Sequence, residues 1–269
     1  MAEDGPTAPH PPDEKAKMSK STHLEFADAV HQFVQGNPVT GLFLMRLYST
    51  FSGIVSRCRR VFRYPHAYIA FDARLIGMSR IELGRNVVIG SGSWLNVNDR
   101  VPKSIALSIG DNSFIGIHNL INVGNAVTLG PYCLTAKNCS FIGSTHRYSD
   151  PMTAYLTTGV TLNSDIYVGA NCFFGYGAQV IGSIRIGHGC VIGSGAVIRK
   201  DIAPFSLVVG NPGTVIKRFD FGKKEWVRWP TEDLVEGPPE DEYVAELRRR
   251  HGFLIQPLSV AASSFGDLI

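Results

Sequence analysis

The residues from Val168 to Ile198, VGANCFFGYGAQVIGSIRIGHGCVIGSGAVI, keep a beat of six. Val168, Phe174, Val180, Ile186, Ile192 and Ile198 open successive beats, and glycine follows most of them. A small residue stands four positions after the start, as at Cys172, Ala178, Cys190 and Ala196. Earlier stretches keep the same step: Leu83, Ile89, Leu95; Ile109, Ile115, Ile121; Leu129, Thr135, Phe141. A short fixed period means that each unit buries its apolar side only by stacking on its neighbours. Three beats make one three-sided turn, so these starts predict an all-β prism, a parallel β-helix of about five turns. The glycines and asparagines between beats suit tight bends with unusual backbone angles.

Working outward, the rhythm breaks twice. Residues 98–104 (NDRVPKS) form a small insertion with a proline, and residues 143–165 form a larger one. An insertion in a repeat array projects from one face and often carries the binding site. After Ile198 the segment 208–213 (VVGNPG) ends the array, followed by a basic strand at 215–218 and a compact turn around Trp226, Trp229 and Pro230. Residues 241–250 read as a short charged helix. On the other side, residues 1–22 are rich in proline and charge and lack an apolar period, so a disordered tail is expected. Residues 23–35 and 41–62 carry apolar positions at helical spacing. They are read as a helical cap over 23–65 that covers the open strand edges of the first coil. The basic tail of the second helix leaves membrane contact through 41–63 as the alternative. The expected domains are thus the tail 1–22, the cap 23–65, the prism 66–219 with its loop 143–165, and a C-terminal extension 220–269.

Composition narrows the function. The chain of 269 residues is 44% hydrophobic and 18% charged, which fits a globular protein. A formal charge of +3 slightly favours an anionic ligand and gives no support to nucleic-acid binding. No run of apolar residues is long enough to span a membrane, and the first 20 residues lack a signal-peptide core, so a cytoplasmic location is expected. Four of the five cysteines, Cys133, Cys139, Cys172 and Cys190, fall in the small-residue slot. They are read as buried packing residues and not as metal ligands or disulfides.

The large insertion opens Gly143-Ser144-Thr145-His146-Arg147-Tyr148-Ser149-Asp150-Pro151. His146 stands where the chain leaves its regular path, so its ring can reach a cleft and act as a general base near neutral pH. Tyr148, Asp150 and Tyr155 are candidates for holding a polyhydroxylated acceptor, or simply for folding the loop. His188, in the bend Gly187-His188-Gly189, and His118, on a coil, are read as bystanders.

The coils, this loop and the ending Val209-Gly210-Asn211-Pro212-Gly213-Thr214-Val215-Ile216-Lys217 together resemble the hexapeptide acetyltransferases. The tail Lys217-Arg218-Phe219 with Trp226 and Trp229-Pro230 is similar to the xenobiotic branch of that family. The loop with Asp150-Pro151 also resembles the surface-polysaccharide O-acetyltransferases, many of which have a doubled histidine-aspartate pair there. Here Ser144 and Thr145 occupy the place of the first pair. The resemblance implies a left-handed prism, a homotrimer with clefts between prisms, and acetyl-CoA as acyl donor with no metal. It places the pantetheine arm along Gly177, Ala178, Gly195 and Ala196, and the nucleotide end near Lys200 and Lys217. It further implies direct acetyl transfer to a hydroxyl of a small acceptor, with His146 as base. An N-acetyltransferase acting on an amino sugar, a zinc hydratase and a non-catalytic trimeric scaffold are the competing expectations.

Overall fold

A computed structural model describes residues 59–97 and 104–252 of the chain. The chain divides into two units, Met1–Val61 and Phe62–Ile269, and the second carries every strand among the described residues. The tail 1–22, nearly all of the cap 23–65 and the insertion 98–103 lie outside the described residues.

Short strands of mostly two to four residues stack into three parallel sheets, one per side of a left-handed prism. The first side begins Tyr68–Ile69, Val88–Ile89, Phe114–Ile115 and continues through Leu134–Thr135, Phe173–Phe174 and Val191–Ile192 to Ser206–Val209. The second holds Arg74–Ile76, Trp94–Val97, Leu120–Val123, Ser140–Ile142, Gln179–Ile181 and Val197–Ile198. The third holds Ile81–Leu83, Leu107–Ile109, Ala126–Leu129, Asp165–Val168 and Ile184–Ile186, with Ile202 bridging to Ile186.

In-register pairing turns the beat into columns. Ile89, Ile115, Thr135, Phe174, Ile192 and Val208 stack along the first side; Leu75, Leu95, Ile121, Phe141, Val180 and Ile198 stack along the second. All of these are buried and form the core. Neighbouring coils lie about 4.8 Å apart, so like side chains meet like side chains all along the axis. Two strands more than the beat of 83–198 implies precede Leu83. Ile69 and Leu75 are six apart but are followed by Ala70 and Ile76 instead of glycine, and eight residues separate Leu75 from Leu83, which is why the pattern fades there.

The corners repeat as faithfully as the strands. Asn86, Asn112, Tyr132, Asn171, Gly189 and Phe205 hold left-handed backbone angles at one edge. Gly92, His118, Asn138, Gly177 and Gly195 do so at the next. The N–H of each donates one coil back, to a carbonyl as from Asn171 to Pro131 and Gly195 to Tyr176, or for Gly92 to the Asp72 carboxylate. A side chain in this region costs about 1–2 kcal/mol, so glycine and asparagine were expected. Tyr132, His118 and Phe205 show that the stacked bond and local packing offset the cost.

The cysteines do more than fill space. The Cys133, Cys139, Cys172 and Cys190 thiols donate to the carbonyls of Gly169, Gly175, Gly187 and Ala203, at 3.2–3.3 Å. Ser93 and Ser113 use the same slot to reach Gly116 O and Gly130 O. All four cysteines are free and buried, and burial pushes the Cys139 thiol up to about 11.

Past Val209 the first side continues by antiparallel pairing: Thr214–Asp220 packs on Ser206–Val209, and Glu225–Arg228 on Thr214–Asp220. The turn expected at Trp226 is therefore a strand. Trp226 sits opposite Phe219 with ring centroids 5.6 Å apart, an aromatic cross-strand pair that favours the ribbon. The helix Glu240–His251 follows, close to the expected span. Its Glu240 carboxylate accepts from Ala170 N–H and Tyr167 O–H, each at 2.7 Å, and fastens the helix to the prism. Among the described residues no helix is long and apolar enough to cross a membrane.

Candidate active site

The strand Ser140–Ile142 on the second side should lead directly into its partner on the third, Asp165–Val168. Instead the chain leaves the prism between them and returns as an arm. Thr145–His146 pairs antiparallel with Val160–Thr161, a hairpin stem rising from parallel coils. His146 is exposed on that stem, just above the arm's root.

The arm's outer part folds on itself. The Asp150 carboxylate accepts from Met152 N–H at 2.9 Å and from the Thr153 hydroxyl, and the Thr153 bond first of all holds it below the ordinary aspartate range. Of the two expected roles for Asp150, loop folding is thus the one engaged here. Thr158 donates to Arg147 O at 2.7 Å and closes the stem. Tyr148 and Tyr155 are exposed, as are Met152 and Leu156, at 92% and 91%. An arm with this much apolar surface is incomplete by itself.

The root is gripped by the corner of the coil beneath, Asn122-Val123-Gly124-Asn125. The Asn122 amide donates to Ser144 Oγ on the outgoing leg at 2.6 Å, and itself accepts from the Asn96 amide at 2.9 Å. The Asn125 amide donates to Asp165 Oδ1 on the returning leg at 2.7 Å, while Asn125 N–H donates to Ser164 O. Between them Gly124 lies so close that a Cβ there would fall 2.0 Å from Gly143 O. None of these residues stood out in the sequence. The signal was the pair of asparagines astride a glycine at the same edge one coil before the insertion.

At the opposite edge of the same side lie the corners Gly177 and Gly195, open to solvent, with nothing within 4 Å of the point where a Cβ would stand. Ala178 and Ala196 turn their methyls into the core, so only their backbone edges face outward. The N–H groups of all four donate within the coils, Gly177 to Lys137, Ala178 to Gly175, Gly195 to Tyr176 and Ala196 to Gly193. No described backbone N–H donates to the carbonyls of Gly177 or Gly195. Lys200 is exposed just after Val197–Ile198. Lys217 is exposed on Thr214–Asp220, directly opposite Arg228.

His188 and His118 lie elsewhere in the coils. His188 is buried, with Nε2 3.0 Å from Pro238 O and its ring edge-on to Phe205. His118 occupies a left-handed corner. Among the described residues no three His, Cys, Asp or Glu side chains are grouped to hold a metal ion.

Comparison with known proteins agrees with this architecture. Residues 159–200 match the bacterial transferase hexapeptide repeat. In sequence the chain is similar to bacterial acetyltransferases. It is 30% identical over 140 residues to a probable acetyltransferase of Mycobacterium tuberculosis, across 52% of this chain and 45% of that protein. It is 29% identical over 147 residues to a chloramphenicol acetyltransferase of Escherichia coli, across 45% of this chain and 70% of that enzyme. The chain thus spans less than half the length of the first of these relatives. Among solved structures, a mutant of the Bacillus cereus N-acyltransferase AntD, crystallised with dTDP and coenzyme A, overlaps 58% of this chain and 82% of its own at 16% identity, with a TM-score of 0.49.

Proposed function

We propose that this chain is an acetyl-CoA-dependent O-acetyltransferase acting on a hydroxyl of a small polyhydroxylated acceptor: a sugar, a glycan precursor, an antibiotic or another secondary metabolite. The observation that carries this reading is His146 itself, an exposed imidazole on the hairpin stem that leaves the prism between Ser140–Ile142 and Asp165–Val168. The acetyltransferase names of its relatives support the donor.

In this mechanism acetyl-CoA lies along the Gly177 and Gly195 corners, where glycine leaves the backbone bare. Its pantetheine amide N–H groups donate to the carbonyls of Gly177 and Gly195, while Lys200 and Lys217 face its phosphates. His146 accepts the acceptor's hydroxyl proton as the oxygen attacks the thioester carbonyl. The tetrahedral intermediate collapses with loss of the CoA thiolate, which takes the proton back from the imidazolium. The oxyanion needs a donor, and since the N–H groups of Gly177, Ala178, Gly195 and Ala196 are engaged inside the coils, it is not one of these four. Tyr148 and Tyr155 offer hydroxyls to the acceptor. No metal takes part, and the enzyme works in the cytoplasm.

The same reading makes the enzyme a homotrimer. On the first side the outward column Phe114, Leu134, Phe173, Val191 and Leu207 is apolar throughout, with Leu134 and Phe173 43% and 40% exposed. The outward column of the third side, Glu82, Ser108, Thr128, Tyr167 and Arg185, is polar. An apolar stripe of this regularity is suited to a second copy, whose prism would supply the missing wall opposite His146.

Calorimetric titration with acetyl-CoA tests the donor. One site per chain is expected in the wild type and in His146→Ala alike. Thiol release is then followed across a panel containing chloramphenicol, maltose and an amino sugar, with turnover lost in His146→Ala. Absence of acetyl-CoA binding would overturn the reading, and transfer only to the amine would replace O- with N-acetylation.

A further inference from the structure

Both legs of the arm are held by side chains of a single corner, beside the strand pairing that joins Asp165 to Ala126 in the third side. Coil-to-coil cohesion comes from the strand ladders and the buried columns. Asn122 and Asn125 face the other way, one toward Ser144 on the outgoing leg and the other toward Asp165 on the returning leg. Ser144 is only 6% exposed, so its hydroxyl is largely withdrawn from water and depends on protein partners. It stands two residues before His146. Asn96, one coil further back, braces the Asn122 side-chain carbonyl, so two amides on successive coils lead to the Ser144 hydroxyl at the arm's root. The stem bonds between Thr145–His146 and Val160–Thr161 keep the two legs together. They do not set the angle at which the pair leaves the prism. That angle is defined where each leg meets the coil beneath.

We propose that Asn122 and Asn125 are positioning residues that aim the arm and thereby place the His146 imidazole, with Asn96 supporting Asn122. A general base works only within hydrogen-bond reach of its proton, and a displacement of about 1 Å can cost on the order of 100-fold in rate. Two separate anchors on the two legs resist rotation of the stem as well as its translation, which one anchor cannot do. The inference rests on the acetyltransferase reading through His146, but the clamp itself is measurable without any acceptor.

The test uses the full chain and three kinds of variant. Asn122→Leu keeps the volume and removes the polar row. Asn125→Asp sets two carboxylates face to face, and the double exchange Asn125→Asp with Asp165→Asn restores one amide and one carboxylate in swapped places. Hydrogen exchange of the peptide spanning 145–161 is expected to quicken about 10-fold or more in the first two variants and to return to the wild-type rate in the swap, while the coils on either side stay protected. Exchange unchanged in the single variants, or quickened equally throughout the prism, would overturn the proposal. Turnover is measured with chloramphenicol and maltose as probe acceptors. The expected result is a fall in kcat of about 10- to 100-fold with KM for acetyl-CoA unchanged, recovered in the swap. A fall not recovered by the swap would also overturn it. If the wild type transfers to neither probe, the exchange data still decide the clamp, and the failure falls on the acetyltransferase reading alone.

Discussion

Gly124→Ala is the sharpest single perturbation of the arm. An added Cβ would lie 2.0 Å from Gly143 O, 2.8 Å from Gly143 C and 2.9 Å from Ser164 O, and Cβ contacts below 3.0 Å essentially never occur. All three atoms are backbone, and they belong to both legs at once, so no side chain can rotate away. Reaching 3.0 Å from Gly143 O requires a shift of at least 1.0 Å (3.0 − 2.0). Moving Gly143 that far stretches its 2.8 Å bond to Asn122 O beyond hydrogen-bonding range. Loss of that bond costs roughly 0.5–1.5 kcal/mol, and overpacking of this kind typically costs about 1–3 kcal/mol in all. The prism should therefore survive, with a lower melting temperature. Because the arm carries His146, the same shift should lower kcat by about 100-fold while acetyl-CoA still binds. The assay pairs thermal unfolding with calorimetry and with turnover on whichever acceptor the screen identifies. A variant with wild-type melting temperature and wild-type turnover would refute the claim that this contact holds the arm.

Other consequences concern the body of the prism. Phe174→Ala removes a fully buried ring that meets Phe141 edge-on at 5.1 Å, and should cost about 3–5 kcal/mol in a denaturant titration. Cys172→Ser should stay within about 1 kcal/mol of wild type by the same measurement, because Ser93 and Ser113 already bond a carbonyl from this slot. Burial raises the Cys139 thiol to about 11 and lifts Cys172 well above its usual value. Cys139 and Cys172 should then resist a thiol reagent at pH 8 until the chain unfolds. Tyr167→Phe deletes the hydroxyl bond to Glu240 and should weaken docking of the helix Glu240–His251 by about 1 kcal/mol, measured by hydrogen exchange of the helix. In the wild type, burial first and then the Glu240 carboxylate raise Tyr167 to about 12 from 10.0. Its contribution is complete below pH 10 and is lost as pH rises from there toward 12, a window in which Tyr167→Phe should show less change than wild type.

The position of the arm was legible because a strict beat makes any interruption visible: 143–165 stands out against 168–198 as a break in register. What holds the arm was not legible. Asn122 and Asn125 read as ordinary bend residues, since asparagine also stands at corners such as Asn112 and Asn171, where the backbone holds a left-handed angle. Which asparagine turns its amide toward a neighbouring leg depends on what the next coil places there. The same holds for Glu240, whose two bonds join residues 70 and 73 positions away in the chain.

By itself the sequence determined the prism, its inward columns and the place where the chain leaves it. A six-residue period leaves one way for each apolar start to be buried, by stacking on the residue one coil away. Only the tertiary structure decided that Trp226 belongs to a strand, that the Gly177 and Gly195 corners have their N–H groups engaged and no described backbone N–H on their carbonyls, and that one corner grips both legs of the arm. Those outcomes depend on contacts between residues a coil or more apart. Local periodicity carries no record of which polar groups will meet across that distance, so chemistry at the edges of a repeat is settled by stacking and not by the repeat.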